Sequence, residues 1–176
     1  LDHRIDAQVR PFRRQTELIA TIPGISSRTA EVILAEIGAD MTRFGTAGHL
    51  ASWAGVCPGN HESAGKQPTG RTRHGDPWLK AVLGQAAVSA ARTTDTYLAA
   101  RYRRLAPRRG KKRALVALEH SILIAIWHML THDLEYADLG GDYFLHRTGR
   151  ARQTRRLISQ LHQLGYQVTL QPIQAA

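Results

Sequence analysis

One short stretch combines a nucleophile with the cations that phosphorus chemistry requires. In HESAGK, residues 61–66, Ser63 sits among small residues and close to Lys66, and Arg71, Arg73 and His74 follow within a dozen positions. A serine that attacks phosphorus must lose its proton. The charge developing on the phosphoryl oxygens must be neutralised by lysine, arginine, backbone N–H groups or a metal. The stretch therefore offers Ser63 as a catalytic nucleophile, with Gly65, Lys66, Arg71, Arg73, His74 and the nearby Lys80 as groups that grip nucleic-acid phosphates. The same composition also describes a polar loop that holds phosphates and does no chemistry, and the residues alone leave both readings open.

Two further groupings point at phosphates. In ATIPGISSRTAEVILAEIG, residues 20–38, a Pro-Gly pair between apolar residues precedes a capped helix, the pattern of a helix-hairpin-helix turn. Glycine permits the tight turn, and exposed N–H groups at a helix start can take a phosphate. Gly24 and Ile25 are the candidate contacts, against the alternative of a helical corner used only for packing. Between Arg101 and Arg113 lie Arg103, Arg104, Arg108, Arg109, Lys111 and Lys112 without one acid, a run suited to a phosphate backbone. Arg147, Arg150, Arg152, Arg155 and Arg156 form a second patch of that kind.

Other residues invite less. His120, His128 and His132 fall on or beside one helix, but neither cysteine nor carboxylate completes a metal set, so no metal ligand is assigned. Trp53, Trp78 and Trp127 lie in apolar helical stretches and read as core residues. The lone Cys57 rules out an internal disulfide and a CxxC metal site, and reads as a small buried residue of a reducing compartment.

Mostly helical elements are expected to position these groups. Across 176 residues, 24 Lys and Arg against 14 Asp and Glu give a formal charge of +10, which favours a polyanionic partner. No apolar run is expected to reach the roughly 18 residues of a spanning helix, and no signal-peptide core opens the chain, so a soluble, cytoplasmic protein without a membrane partner is expected. The chain starts at Leu1 directly on an amphipathic stretch, as the back end of a longer protein would.

Residues 1–20 carry Ile5, Val9, Phe12, Leu18 and Ile19 at helical spacing, interrupted or restarted near Pro11, and are a candidate dimerisation element. Helices are expected from Ser26 or Ser27 to Gly38, from Thr46 through Trp53, from Pro77 to about Arg92 behind an Asp76 cap, from Asp95 to about Leu105, and from about Lys111 to Thr131. The last is apolar nearly all round, as the buried centre of a bundle is. Residues 55–76 form a long aperiodic loop. Residues 21–133 thus read as a helical domain carrying this loop. Residues 134–176 read as a basic appendage with a turn-rich connector, a helix over 149–163 and a short strand at 166–170.

The ordered set IPGISSRTAEVILAEIG, LASWAGVCPGNHESAGK and GRTRHGDPWLKAVL, from Leu18 to about Arg92, resembles the C-terminal transposase domain of the DEDD-type insertion-sequence transposases and Piv-like DNA invertases. The resemblance covers a little under half of the chain, and LEYADLGGDYF with the basic helix after it is similar to the tail of those proteins. It implies a domain that supplies a serine nucleophile for DNA strand cleavage and transfer, while a RuvC-like domain of the same protein holds Mg2+ on an Asp/Glu tetrad. It also implies a guide RNA and assembly as a dimer or tetramer on DNA. The family loop has two serines, two glycines and a lysine. The matching residues here are Glu62, Ser63, Ala64, Gly65 and Lys66, so Ser63 falls on the second serine, while Glu62 and Ala64 depart from the pattern.

Three readings follow. The chain is an enzyme fragment that binds DNA and stays inactive without the RuvC-like metal-binding domain, or a non-catalytic helix-hairpin-helix module that only binds nucleic acid, or an assembly element whose N-terminal helix drives dimerisation while its charge is incidental.

Overall fold

The computed structural model describes residues 10–58, 72–147 and 149–171. Among them the chain is helical and contains no strand; the only β pairing is an isolated bridge between Pro58 and Thr72. Ile5, Val9, Ser63, Gly65, Lys66 and Arg71 lie outside the described residues.

Side-chain caps set several of the helix starts. A 3-10 turn at Arg10–Phe12, which contains Pro11, leads into α1, Arg13–Ala20. α2, Ser27–Ile37, begins where the Ser26 hydroxyl accepts from the Thr29 amide, and it ends at Gly38 with φ +75°. A 3-10 turn at Met41–Arg43 leads to α3, Ala47–Trp53, capped by Thr46. α4, Pro77–Ala91, starts with the Asp76 carboxylate accepting from the Leu79 amide at 2.7 Å and with proline at its first position. α5 is Tyr97–Arg109 and α6 is Lys111–His132.

α6 is the axis of the first compact unit, which ends at Gly141. It packs against α1, α3, α4 and α5, and α2 closes the bundle by packing on α1 and α4. Leu118, Ile122, Leu123 and Ile126 of α6 are fully buried, together with Leu18 and Ile19 of α1, Ile33 of α2, Leu50 of α3, Leu79 and Leu83 of α4, and Leu98 of α5. Burying a side chain of this size contributes about 1.5–3 kcal/mol, so this layer is what organises the bundle. Leu18 and Ile19 bury their apolar surface inside the chain, while Phe12 remains 44% exposed.

Residues 134–141 lie back along the same unit. The Tyr136 amide donates to Thr21 Oγ1 at 3.0 Å, and Asp138 accepts from the Tyr97 amide at 2.9 Å. The second unit begins at Asp142. Within it, α7, Tyr143–Arg147, packs on α8, Arg150–Gln163, and Asp142 bonds the His146 ring at 2.7 Å.

Several expectations change. The strand expected at 166–170 is absent, because alternation makes a strand only where a ladder partner exists; Tyr166 and Leu170 are exposed instead. α5 is capped by Thr96 rather than Asp95, since Asp95 takes a left-handed φ of +53° where Gly141 crosses it. The same helix runs through Pro107 to Arg109 instead of stopping near Leu105. A proline in the last turn forfeits one hydrogen bond, and Gly110 closes the end by donating to the Ala106 carbonyl.

α6 is, by length and composition, apolar enough to cross a membrane, contrary to expectation, although its apolar residues are those that pack the bundle. Trp78 is 72% exposed and Trp53 45% exposed, so neither is a core residue. The buried face of α4 runs through Leu79, Leu83, Ala86 and Ala90, one step away from Trp78. Trp127 does join the core, with its indole N–H donating to the Phe44 carbonyl at 3.0 Å. Cys57 is half-buried against the same core, and burial raises its thiol pKa.

Glu119 of α6 is a carboxyl buried among apolar neighbours, and burial raises its pKa against a smaller opposing effect of Lys80. A carboxyl with a raised pKa binds its proton more tightly folded than unfolded. Stability therefore falls as pH rises from the ordinary carboxylate range through the raised value. Glu119→Gln should accordingly melt higher than the parent at about pH 8, by about 2–4 °C per kcal/mol recovered. The difference should shrink towards about pH 4, where the carboxyl is protonated in both states. Thermal melts at the two pH values check it, and a variant that melts lower at the higher pH contradicts it.

Candidate nucleic-acid interface

Backbone packing brings the two ends of the serine loop together. Gly55 and Gly75 both have positive φ, +71° and +59°, and lie so close that a Cβ on Gly75 would sit 2.2 Å from the Ala54 carbonyl oxygen. A Cβ on Gly55 would sit 2.8 Å from the Arg73 carbonyl oxygen. Only glycine fits either position. One step further out, the Pro58–Thr72 bridge joins the two sides of this stem. The Lys80 ammonium donates to the Arg73 carbonyl at 3.1 Å, tying the returning segment to α4. The stem thus connects the end of α3 to the capped start of α4.

The sequence candidates separate around this stem. Arg73 and His74 are exposed on its returning segment, next to the exposed Trp78 in the first turn of α4. Lys80 is half-buried and already committed to the Arg73 carbonyl. Arg104, Arg108, Arg109, Lys111 and Lys112 are exposed where α5 ends and α6 begins. In the second unit Arg147, Arg152, Arg155 and Arg156 are exposed, and the Arg147 guanidinium donates to the Tyr143 hydroxyl at 3.4 Å. The side chain of Arg150 lies outside the described residues.

Gly24 and Ile25 are placed differently. Gly24, at φ +90°, lies against the backbone of α4, where a Cβ would meet the Ala90 nitrogen at 2.4 Å. Ile25 is 6% exposed, and its amide donates to the Ile22 carbonyl. This corner therefore serves packing, since its glycine lets α4 approach and its isoleucine enters the core.

A cleft of ≈ 690 Å³ opens beside the stem. Val56, Pro58 and Thr72 from the loop ends form one side. Arg101 of α5 and Lys112, Arg113, Val116, Ala117 and His120 of α6 form the other. The Arg101 Nη1 donates to the Tyr97 hydroxyl at 3.1 Å, while its buried Nε has no partner among the described residues. Burial, and then the nearby Arg101, lower the His120 pKa, so the ring is neutral at neutral pH.

Sequence reasoning grouped His120 with His128 and His132 and missed this placement. His128 and His132 stack on one another, and His120 lies eight residues away, about 12 Å along the helix. The signal was available in the spacing of Arg113, Val116, Ala117 and His120, which share one helical stripe. Among the described residues, no group of three His, Cys, Asp or Glu side chains is placed to hold a metal ion.

Comparison with known proteins adds an independent observation. The family model of the IS116/IS110/IS902 transposases matches residues 16–103, half of the chain. Pilin gene-inverting proteins of Moraxella bovis and Moraxella lacunata are each 41% identical over 66 residues, covering 36% of this chain and 20% of their own length. The y4pF/y4sB protein of Sinorhizobium fredii, named as a transposase, is 29% identical over 145 residues, covering 78% of this chain and 37% of its own length. The chain therefore spans between about a fifth and somewhat over a third of these curated relatives.

The exposed cations at the junction of α5 and α6 make a salt-dependent prediction. Replacing Arg108, Arg109 and Lys111 with glutamine should flatten the plot of log DNA affinity against log salt by about 0.9 for each side chain that touches a phosphate. Fluorescence anisotropy across a salt series reads this slope. An unchanged slope removes the junction from the interface.

Proposed function

We propose that this chain, which belongs to the IS116/IS110/IS902 transposase family, is the DNA-handling segment of a transposase or recombinase in which Ser63 is the nucleophile for strand cleavage and transfer. The observation that carries the reading is the stem: Gly55 and Gly75 bring both ends of the Ser63-bearing loop to one point beside Arg73 and the cleft. A loop rooted in this way presents its residues from a rigid helical scaffold, as reactive loops require.

The reaction is a phosphoryl transfer. The Ser63 hydroxyl loses its proton and attacks phosphorus. An Oγ–P bond forms as one P–O bond to the sugar breaks, and the departing sugar oxygen takes up a proton. A sugar hydroxyl of the strand to be joined then displaces the serine and releases it unchanged. Lys66 and Arg71 accompany Ser63 in the loop sequence, and Arg73 and His74 follow on the stem. The lysine and the two arginines suit the extra negative charge of the five-coordinate state. The basic junction of α5 and α6 holds neighbouring phosphates and fixes the strand in register.

The described residues do not fit a divalent ion, so no step here is routed through one. Mg2+ belongs instead to a RuvC-like segment of the same protein. The same resemblance supplies the proposals of a guide RNA and of a dimer or tetramer assembled on DNA. A purely binding helix-hairpin-helix module has weaker support, because Gly24 and Ile25 are occupied in packing.

Ser63→Ala in the full-length transposase tests the reading. Recombination between paired DNA ends should fall by at least about a thousandfold, with DNA affinity changed by less than about twofold. A variant that recombines normally overturns it.

A further inference from the structure

The α6 end of the cleft carries an arrangement that the described residues leave unsatisfied. A helix N-terminus has positive potential and normally attracts a capping hydroxyl or carboxylate. α6 begins at Gly110 with no side-chain cap and no acid in its first turn. It places Lys111, Lys112 and Arg113 there instead. Its first intrahelical bond runs from the Ala114 amide to the Gly110 carbonyl, so the three preceding amides have no acceptor within the helix. Lys112 and Arg113 line the cleft, and Arg101 opposite them contributes a buried Nε without a partner among the described residues. The positive end of the helix dipole and the positive side chains meet at the start of α6, and a bound anion would suit both.

The rest of the cleft identifies the anion's attachment. Val56, Pro58, Val116 and Ala117 present apolar surface, and the half-buried neutral ring of His120 lies beside them. Free phosphate has no use for an apolar wall. Duplex DNA keeps its bases stacked inward and offers such a wall only sugars and phosphates. A nucleotide in an unstacked strand supplies both halves, a phosphate for the cations and a flat, largely apolar base for the wall. The volume of ≈ 690 Å³ lies within the range of about 300–1,000 Å³ that suits small-ligand sites and holds one nucleotide comfortably.

We infer that this cleft seats one unstacked nucleotide of a single strand, with its phosphate at the start of α6 and its base against Val116 and Ala117. The inference rests on the proposal that the chain handles nucleic acid, but not on Ser63 as nucleophile. The seat adjoins the loop stem, so a strand held there is fixed next to the segment that carries the serine.

Ala117→Leu fills the apolar side of the cleft without changing charge, and Arg113→Gln removes one exposed cation from its phosphate end. Anisotropy titrations of the 176-residue chain at fixed salt use a labelled oligo(dU) octamer, an oligo(rU) octamer and a hairpin duplex, with circular dichroism melts confirming the fold of each variant. Ala117→Leu should weaken binding of at least one octamer by about tenfold and of the duplex by less than about twofold. The octamer that loses affinity identifies the sugar the cleft accepts. Arg113→Gln should weaken the same octamer more than the duplex, and it keeps the test decisive if Ala117→Leu unfolds. Equal losses for octamers and duplex, or no loss from either variant, overturn the cleft assignment while leaving the nucleic-acid reading intact. Failure of the unaltered chain to bind any probe overturns both.

Discussion

No Cβ fits where the segments around Gly55 and Gly75 cross, and that steric constraint underlies the site. The loop between them leaves the end of α3 and returns into the start of α4, so its ends are held by the same core that holds those helices. Asp76 and Pro77 fix where α4 begins, and Lys80 reaches back from its first turns to hold the Arg73 carbonyl. A longer separation of the stem would lengthen the effective loop and raise the entropy of its ordering. Crossing the backbones at two glycines keeps the loop rooted on rigid helices.

The central helix links fold and chemistry. The buried positions of α6 organise the bundle, while its first turn carries Lys111, Lys112 and Arg113 and the stripe from Arg113 to His120 faces the cleft. One rigid element therefore sets the distance between the core and the cationic surface. Its N-terminal electrostatics oppose helix stability in isolation and favour an anion. On α5, Arg101 has one nitrogen bonded to Tyr97 and a buried one without a partner among the described residues.

Much of this was legible in the sequence wherever the determinant was local. Ser26, Thr46 and Asp76 announced their helices because a capping side chain needs only the next three residues. Gly38 marked a helix end from equally local information. Long-range determinants were not legible. The residues around Gly24 left a phosphate-binding hairpin and a packing corner both open, because the sequence cannot reveal that the backbone of Ala90 lies against this glycine. Trp78 looked like core until the buried face of α4 was fixed one residue away. The alternation at 166–170 could not show that no partner strand is present among the described residues. The cleft required α5, α6 and both loop ends together, so its histidine was grouped with the wrong neighbours. Ser63 itself rests on the match of the HESAGK loop to a family pattern and on the stem beneath it.

The most direct test of a serine presented from this stem is to locate the protein–DNA bond chemically. Full-length transposase is trapped on a DNA end that cannot be rejoined, digested with protease and nuclease, and the nucleotide-bearing peptide is sequenced by mass spectrometry. The account predicts the residual nucleotide on the hydroxyl of Ser63. A nucleotide found on any other side chain, such as a tyrosine, would contradict it.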